Sequence, residues 1–90
     1  MTTSVVVRYK DGSVRPFSRD RLFLSVLKAV GHRETAVDDA GALTSTIMAK
    51  LHPKLANATL TPSEIIKITL ETLQRFDHAA SIQYAAYHRL

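Results

Sequence analysis

Arg8-Tyr9-Lys10-Asp11-Gly12-Ser13-Val14-Arg15-Pro16-Phe17-Ser18-Arg19-Asp20-Arg21 is the stretch that decides the fold. β-Branched and aromatic residues on either side of Asp11-Gly12 describe a strand, a tight reversal and a return strand. An Asp-Gly pair between two extended runs predicts a type I′ hairpin, a turn that needs positive φ at both central residues. Pro16 has no N–H to give a ladder, so the return strand over residues 14–17 lies at a sheet edge or ends there. Alternation places Val5, Val7 and Tyr9 on one face, with Arg8 and Lys10 on the other. Ser18 then caps a helix by accepting from a backbone N–H one turn on, and Phe17 with Leu22 has the spacing of a hydrophobic staple.

Working outward, the rest of the chain is helical. Leu22, Phe23, Val26, Leu27 and Val30 recur at helical spacing, and Gly31 is the expected left-handed stop. A second helix begins after Thr35, with Asp38 and Asp39 in its first turns and Ala36, Ala40, Leu43, Ile47 and Leu51 as its buried stripe. His52-Pro53 ends it, because proline disfavours the α conformation in the residue before it. A connection over residues 53–60, with room for one extra helical turn, leads to Thr61-Pro62-Ser63-Glu64. That tetrapeptide is a capping box, with Pro62 at the first helical position and a staple from Leu60 and Ile65. The third helix runs to about Arg75 and buries Ile65, Ile68, Leu73 and Phe76. Asp77 caps a fourth, which carries Ala80, Ile82, Tyr84, Ala85, Tyr87 and Leu90. The expected fold is α+β: an N-terminal β-hairpin packed on a small four-helix bundle, one domain over residues 1–90.

Charge is distributed unevenly. The net charge is +4, yet residues 1–33 carry seven Arg and Lys against two acids, and residues 34–90 carry five against six. A basic first third suits a polyanionic partner, a nucleotide or a nucleic acid. The absence of cysteine excludes disulfides, thiolate zinc sites and cysteine nucleophiles. With no leader-like N-terminus and no apolar run near 18 residues, the expectation is a soluble cytoplasmic protein.

Catalytic patterns are missing. His32, His52, His78 and His88 make no i, i+4 pair with a glutamate between, so no helical metal pair forms. Asp38 and Asp39 are adjacent and diverge on a helix, which suits a helix N-terminus better than acid–base chemistry. Three scattered glycines supply no phosphate-cradling loop. Phosphates, if bound, fall to the side chains of Arg8, Lys10, Arg15, Arg19 and Arg21. Two of these, Arg19 and Arg21, stand at the positive end of a helix, which is unfavourable until an anion arrives. The basic region lacks a recognition helix and has only Tyr9 and Phe17 as interleaved aromatics, which argues against autonomous DNA binding.

Several segments together resemble the ATP-cone domain: Val7 to Gly12 as Val-x-x-Lys-Asp-Gly, then Pro16-Phe17-Ser18-Arg19-Asp20-Arg21-Leu22, Lys28-Ala29, Thr61 to Ile65, and Phe76-Asp77 with Tyr84-Ala85-Ala86-Tyr87-His88-Arg89. The resemblance spans about residues 5–89. It is most like the cone of the bacterial transcriptional repressor of ribonucleotide reductase genes, which also has a basic dipeptide after its first helix, here His32-Arg33. It implies a non-enzymatic module that binds ATP or dATP between hairpin and helices and thereby switches self-association or a partner protein. Carried over by position, the basic pair before Asp11-Gly12 is Tyr9-Lys10, so a tyrosine stands where a phosphate-binding lysine is expected and Arg8 is the substitute. Arg21 takes the place of a family lysine, Thr61 is the hydroxyl nearest the base, and His88-Arg89 replaces a Tyr-Arg pair. The implied nucleotide-binding set is Arg8, Tyr9, Lys10, Arg15, Arg21, Arg33, Thr61 and Arg89. Magnesium would arrive with the triphosphate, since no carboxylate is dedicated to it. The chain holds an input site and no output domain, so a homo-oligomer or a partner in trans is expected unless it is a fragment. Two other readings stay open: an interaction module whose nucleotide site is lost through Tyr9 and His88, and an accessory nucleic-acid-binding protein.

Overall fold

A computed structural model describes residues 6–51 and 59–88. Its order is β1 (Val6–Arg8), β2 (Val14–Pro16), α1 (Arg19–Ala29), α2 (Ala36–Leu51), β3 (Thr59–Leu60), α3 (Pro62–Phe76) and α4 (His78–Tyr87). The hairpin on four helices is therefore present. Val5, the His52-Pro53 break, most of the connection after it, Arg89 and Leu90 lie outside the described residues.

The hairpin is part of a larger sheet than expected. β1 is the middle strand: it pairs antiparallel with β2, Val7 opposite Arg15, and parallel with β3, Val7 opposite Leu60. Parallel neighbours need a long crossover, and α1 with α2 supplies it. β2 is an edge strand, which is where Pro16 can be tolerated. Val7 is buried and Arg8 exposed, so the alternation along β1 holds. Because directly opposed residues share a face, Arg15 stands on the same side as Val7, the side that faces the helices.

Three polar caps start three helices. Ser18 Oγ accepts from Arg21 N at 3.2 Å, Thr61 Oγ1 from Glu64 N at 3.3 Å, and Asp77 Oδ1 from Ala79 N and Ala80 N at 2.9 and 3.3 Å. The end of α1 differs from expectation. Gly31 is not left-handed; Gly12 is the glycine with positive φ. The helix ends instead through Val30, whose N–H donates to the Val26 carbonyl at 3.0 Å, followed by Arg33 N to Val30 O at 2.9 Å.

Each helix packs on its neighbours in sequence, and α1 closes on α4. The core is one cluster: Leu22, Val26, Ala29 and Val30 from α1, Ala40, Leu43, Ile47 and Leu51 from α2, Leu60 from β3, Leu73 from α3, and Ala80 and Tyr84 from α4. Of the predicted stripe of α2, Ala40, Leu43, Ile47 and Leu51 are buried and Ala36 is half-buried. Thr69 and Thr72 tolerate burial by donating to the Ile65 and Ile68 carbonyls, both at 2.8 Å, whereas Thr44 Oγ1 is buried with no partner. Phe76, expected inside, is 39% exposed at the end of α3, with the Arg33 guanidinium over its ring at 4.6 Å from the centroid.

Candidate functional site

The hairpin turn fixes the cations at its tip. Its hydrogen bonds run from Gly12 N to Tyr9 O at 3.0 Å and from Tyr9 N to Ser13 O at 2.9 Å. That pattern is a three-residue loop, Lys10-Asp11-Gly12, with glycine at the bulge, and not the two-residue type I′ turn expected. Gly12 has φ +87, which only glycine adopts at no steric cost. Asp11 Oδ1 accepts from both the Ser13 hydroxyl, at 2.6 Å, and the Ser13 N–H, at 2.9 Å. Those two bonds hold the Asp11 carboxyl below its usual range. Asp11 is thus spent on the turn and does not neutralise Lys10 beside it.

Beneath the sheet lies a cavity of about 240 Å³. Its walls are mainly apolar: Val7, Pro16 and Phe17 from the sheet side, Leu22 from α1, Pro62, Ile65 and Ile66 from α3, and Tyr84 with His88 from the end of α4. Arg15, Arg21, Tyr9, Ser18 and Ser25 complete the lining. Arg15 sits over the Tyr9 ring, 5.8 Å from its centroid, at the outer range of a cation–π contact. A second cavity of about 300 Å³ adjoins it, lined by Arg8, Tyr9, Lys10, Thr61, Pro62 and Ser63. It lies between two cations of the hairpin and the N-terminus of α3, the positive end of that helix dipole.

The residues predicted from sequence do not all meet in one place. Tyr9, Arg15 and Arg21 line the apolar cavity; Arg8, Tyr9, Lys10 and Thr61 line the cationic one. Arg33 lines neither. It sits at the opposite end of the bundle, where Nε donates to Asp39 at 2.7 Å and Nη1 to Asp77 at 3.0 Å. Arg89 lies outside the described residues. Among the described residues, Arg8, Lys10, Arg15 and Arg21 form no ion pair; the carboxylate contacts belong to Arg33 and His32.

The predicted binding set left out the floor of the apolar cavity, although Tyr84 and His88 stand in a segment that carries the resemblance. Tyr84 and His88 stack with ring centroids 4.0 Å apart and planes 17° from parallel. His88 Nδ1 lies 3.1 Å from the Tyr84 carbonyl, which can only accept, so the hydrogen is on Nδ1. Tyr84 is 2% exposed, and burial pushes its phenol up, opposed by the Thr69 and Ser25 hydroxyls. The i, i+4 spacing of Tyr84 and His88 was the available signal. Tyr87 points elsewhere, exposed beneath Lys28 Nζ at 4.1 Å from its ring centroid.

The cluster around Arg33 is a clasp. Asp77 Oδ2 accepts from His32 Nε2 and Arg33 Nη1, each at 3.0 Å, while Oδ1 caps α4. His32 and Arg33 together lower the Asp77 carboxyl from 3.8 to about 2. Asp39, lowered by Arg33 and by the Thr35 hydroxyl at 2.8 Å, completes it. The clasp joins the α1–α2 turn to α2 and to the start of α4.

Among the described residues no three His, Asp or Glu side chains gather to hold a metal, and no helix is long and apolar enough to cross a membrane. A family model described as "ATP cone domain" matches residues 5–89. The chain is also similar to proteins described as "Transcriptional repressor NrdR" from Streptococcus pneumoniae strains Hungary19A-6, ATCC 700669 and 70585. Each is 28% identical over 87 residues, which is 97% of this chain and 54% of the relative. The chain thus spans about half the length of the curated relatives it matches.

Proposed function

The chain belongs to the ATP-cone family, and on that premise we propose that it is a non-enzymatic regulatory domain that binds ATP or dATP. The observation that carries the reading is the pair of adjoining cavities with opposite chemistry. The apolar one, about 240 Å³, suits a flat heterocycle, which its aromatic and aliphatic walls would contact on both sides. The other brings Arg8 and Lys10 to the N-terminus of α3, which suits a polyphosphate. Arg15 and Arg21, at the apolar cavity, add charge beside it. The residues present therefore fit an adenine nucleotide, base under the sheet and phosphates toward the hairpin tip. Magnesium would come with the triphosphate and be held by it.

Bound nucleotide would also relieve the repulsion among cations that have no carboxylate partners among the described residues. Energy released on binding is then available to change how the domain associates with a second copy or a partner protein, linked to ribonucleotide reductase or to the control of its genes. The output would be an altered assembly, and the family match to an ATP cone and the likeness to a transcriptional repressor support that reading.

Thermal melting with ATP, dATP, GTP and duplex DNA tests this. A ligand at a hundredfold excess over its Kd stabilises by about 2.7 kcal/mol, a rise in Tm of roughly ten degrees or more for a domain this small. ATP or dATP is expected to produce that rise, and duplex DNA none. If no adenine nucleotide shifts the melt at millimolar concentration, the reading fails and the interaction-module alternative takes its place. A shift with DNA alone would point to the nucleic-acid alternative.

A further inference from the structure

The two faces of α4 meet different surroundings. Ala80, Ser81 and Tyr84 are buried, and Tyr84 with His88 lines the apolar cavity. The opposite face, Ala79, Ile82, Gln83 and Ala86, is exposed. No position of α4 is Asp, Glu, Lys or Arg, whereas α1, α2 and α3 each carry both acids and bases. Exposure alone does not single this face out: Leu24 at 60% and Val37 at 64% are more exposed than Ile82 at 57%. Leu24, however, has Asp20, Arg21 and Lys28 within one helical turn, and Val37 has Asp38 beside it and Glu34 shortly before it. Each of those two is a lone apolar side chain among charges, an ordinary surface feature. One turn to either side of Ile82 stand His78, Ala79, Ala85 and Ala86, so the apolar surface there is continuous.

We infer that this face pairs with the same face of a second copy of the chain, and that bound nucleotide acts on the pairing through α4. The inference rests on the nucleotide-binding reading above and names the surface through which its output runs. Charge selects the occupant. In a two-fold pair each patch meets itself, so a charged face repels its own image. The α4 face brings no Asp, Glu, Lys or Arg to that contact, in a chain whose net charge of +4 holds copies apart in other orientations. Shape agrees. Ile82 stands between Ala79 and Ala86, one helical turn from each. In an antiparallel pair the two Ile82 side chains lie near the axis, and the small alanines beside them let the helices approach closely. With 10 residues α4 is only about 15 Å long, so the contact falls short of the roughly 800 Å² that each partner gives to a standard interface. The pairing is therefore weak and reversible, which is what a ligand can tip. A nucleotide resting on Tyr84 and His88 touches the inner side of the helix whose outer side makes the contact.

Sedimentation velocity of the full chain from micromolar to near-millimolar concentration, ligand-free and with saturating ATP or dATP, reads the pairing; melts in the same buffers read nucleotide binding. Parent protein is expected to form a dimer whose association constant differs at least about fivefold between the ligand-free state and a nucleotide-bound one. Ile82→Glu weakens that dimer at least about tenfold in every state and leaves the nucleotide-induced melt shift unchanged. Glutamate is a better helix former than isoleucine, and circular dichroism checks that the fold is kept. Ala86→Glu gives the same result independently, while Leu24→Glu and Val37→Glu leave the dimer as it is. Ile82→Lys alone is also monomeric, but mixed with Ile82→Glu it recovers the dimer, because a face that meets itself brings the two side chains at position 82 together. Parent protein that responds to nucleotide in the melt yet stays monomeric in all states overturns the inference and leaves the nucleotide reading standing. So do glutamates at Ile82 and Ala86 that leave the dimer intact, a mixture that fails to recover it, or Leu24→Glu or Val37→Glu breaking it as strongly. A dimer indifferent to nucleotide overturns the coupling. A dimer lost in Ile82→Glu together with a melt that ignores every adenine nucleotide overturns the nucleotide reading and the coupling, and keeps the pairing face.

Discussion

At the end of the bundle where α1 gives way to α2, Arg33 is held by two carboxylates, Asp39 at 2.7 Å and Asp77 at 3.0 Å. At the other end Arg8, Lys10, Arg15 and Arg21 surround two cavities, and no described carboxylate pairs with any of them. The same helices run between the two places: α1, α3 and α4 each have one end at the cavities and the other near the clasp, and α3, with 15 residues, spans roughly 22 Å between them. Residue type is thus no guide to role. A cation whose acids fold up against it is part of the scaffold. A cluster of cations left facing open space, with two of them beside a positive helix end, raises the free energy of the ligand-free fold and lowers it again when an anion arrives.

The sharpest way to break that contrast is to cut each end separately. Asp77→Ala removes the cap of α4 and both contacts to His32 and Arg33, and loss of a cap alone is worth several degrees. We expect the ligand-free Tm to fall by roughly ten degrees, with the nucleotide-induced shift retained at the lower baseline. Arg8→Ala with Lys10→Ala should do the reverse. Its ligand-free Tm stays level or rises slightly as repulsion falls, while the rise produced by ATP shrinks to a few degrees or less. Differential scanning fluorimetry reads both. A clasp variant that abolishes the nucleotide response at full helicity, or a cavity variant that melts early, would show that the two ends are not separate.

Local devices were legible in the sequence and long-range ones were not. Ser18, Thr61 and Asp77 act on backbone groups within three residues, so their types and offsets announce them. The buried stripe of α2 follows from helical period alone. β3 is two residues long and carries no pattern of its own; only its place beside β1 makes it a strand. The turn was displaced by one residue because Asp-Gly serves either a two-residue loop or the end of a three-residue one, and the strand register decides between them. Of the candidate site, six of the eight predicted residues line the two cavities, since cations near a predicted hairpin stay near it when the chain folds. Arg33 differs because the acids that bind it lie six and forty-four residues away, and no local reading pairs them.

Acid sharpens the comparison next. Asp77 titrates at about 2 in the fold and near 3.8 when unfolded, and Asp39 is displaced the same way. Depressed carboxylates contribute stability that is complete above the unfolded value and lost as pH falls through the folded one. The clasp should therefore hold its full contribution above about pH 5 and lose it between pH 4 and pH 2. We expect the parent Tm to drop by several degrees more than that of Asp77→Asn across this window, the asparagine variant starting lower and falling less. Parallel curves for the two would mean that Asp77 is no better solvated by its partners than by water.

The smallest expected effect comes from two matched Arg→Lys changes, which keep charge and alter geometry. Arg33 uses two separate nitrogens on two separate acids, and its guanidinium carbon lies over Phe76, 4.6 Å from the ring centroid. A lysine there can satisfy one acid at a time and stacks less well. Arg33→Lys should lower the ligand-free Tm by about five degrees or less and leave nucleotide affinity unchanged. Arg21, at the cavity wall with no carboxylate partner among the described residues, has no such geometry to lose before ligand binds. Arg21→Lys should leave the ligand-free Tm within a degree or so of the parent, and any effect should appear only in the nucleotide-bound melt, through the weaker fork contact of an ammonium with phosphate. Each substitution thus has a condition in which it is silent, and the two conditions are opposite. If Arg21→Lys instead lowers the ligand-free Tm as much as Arg33→Lys does, Arg21 is bonded within the fold and belongs with the scaffold cations.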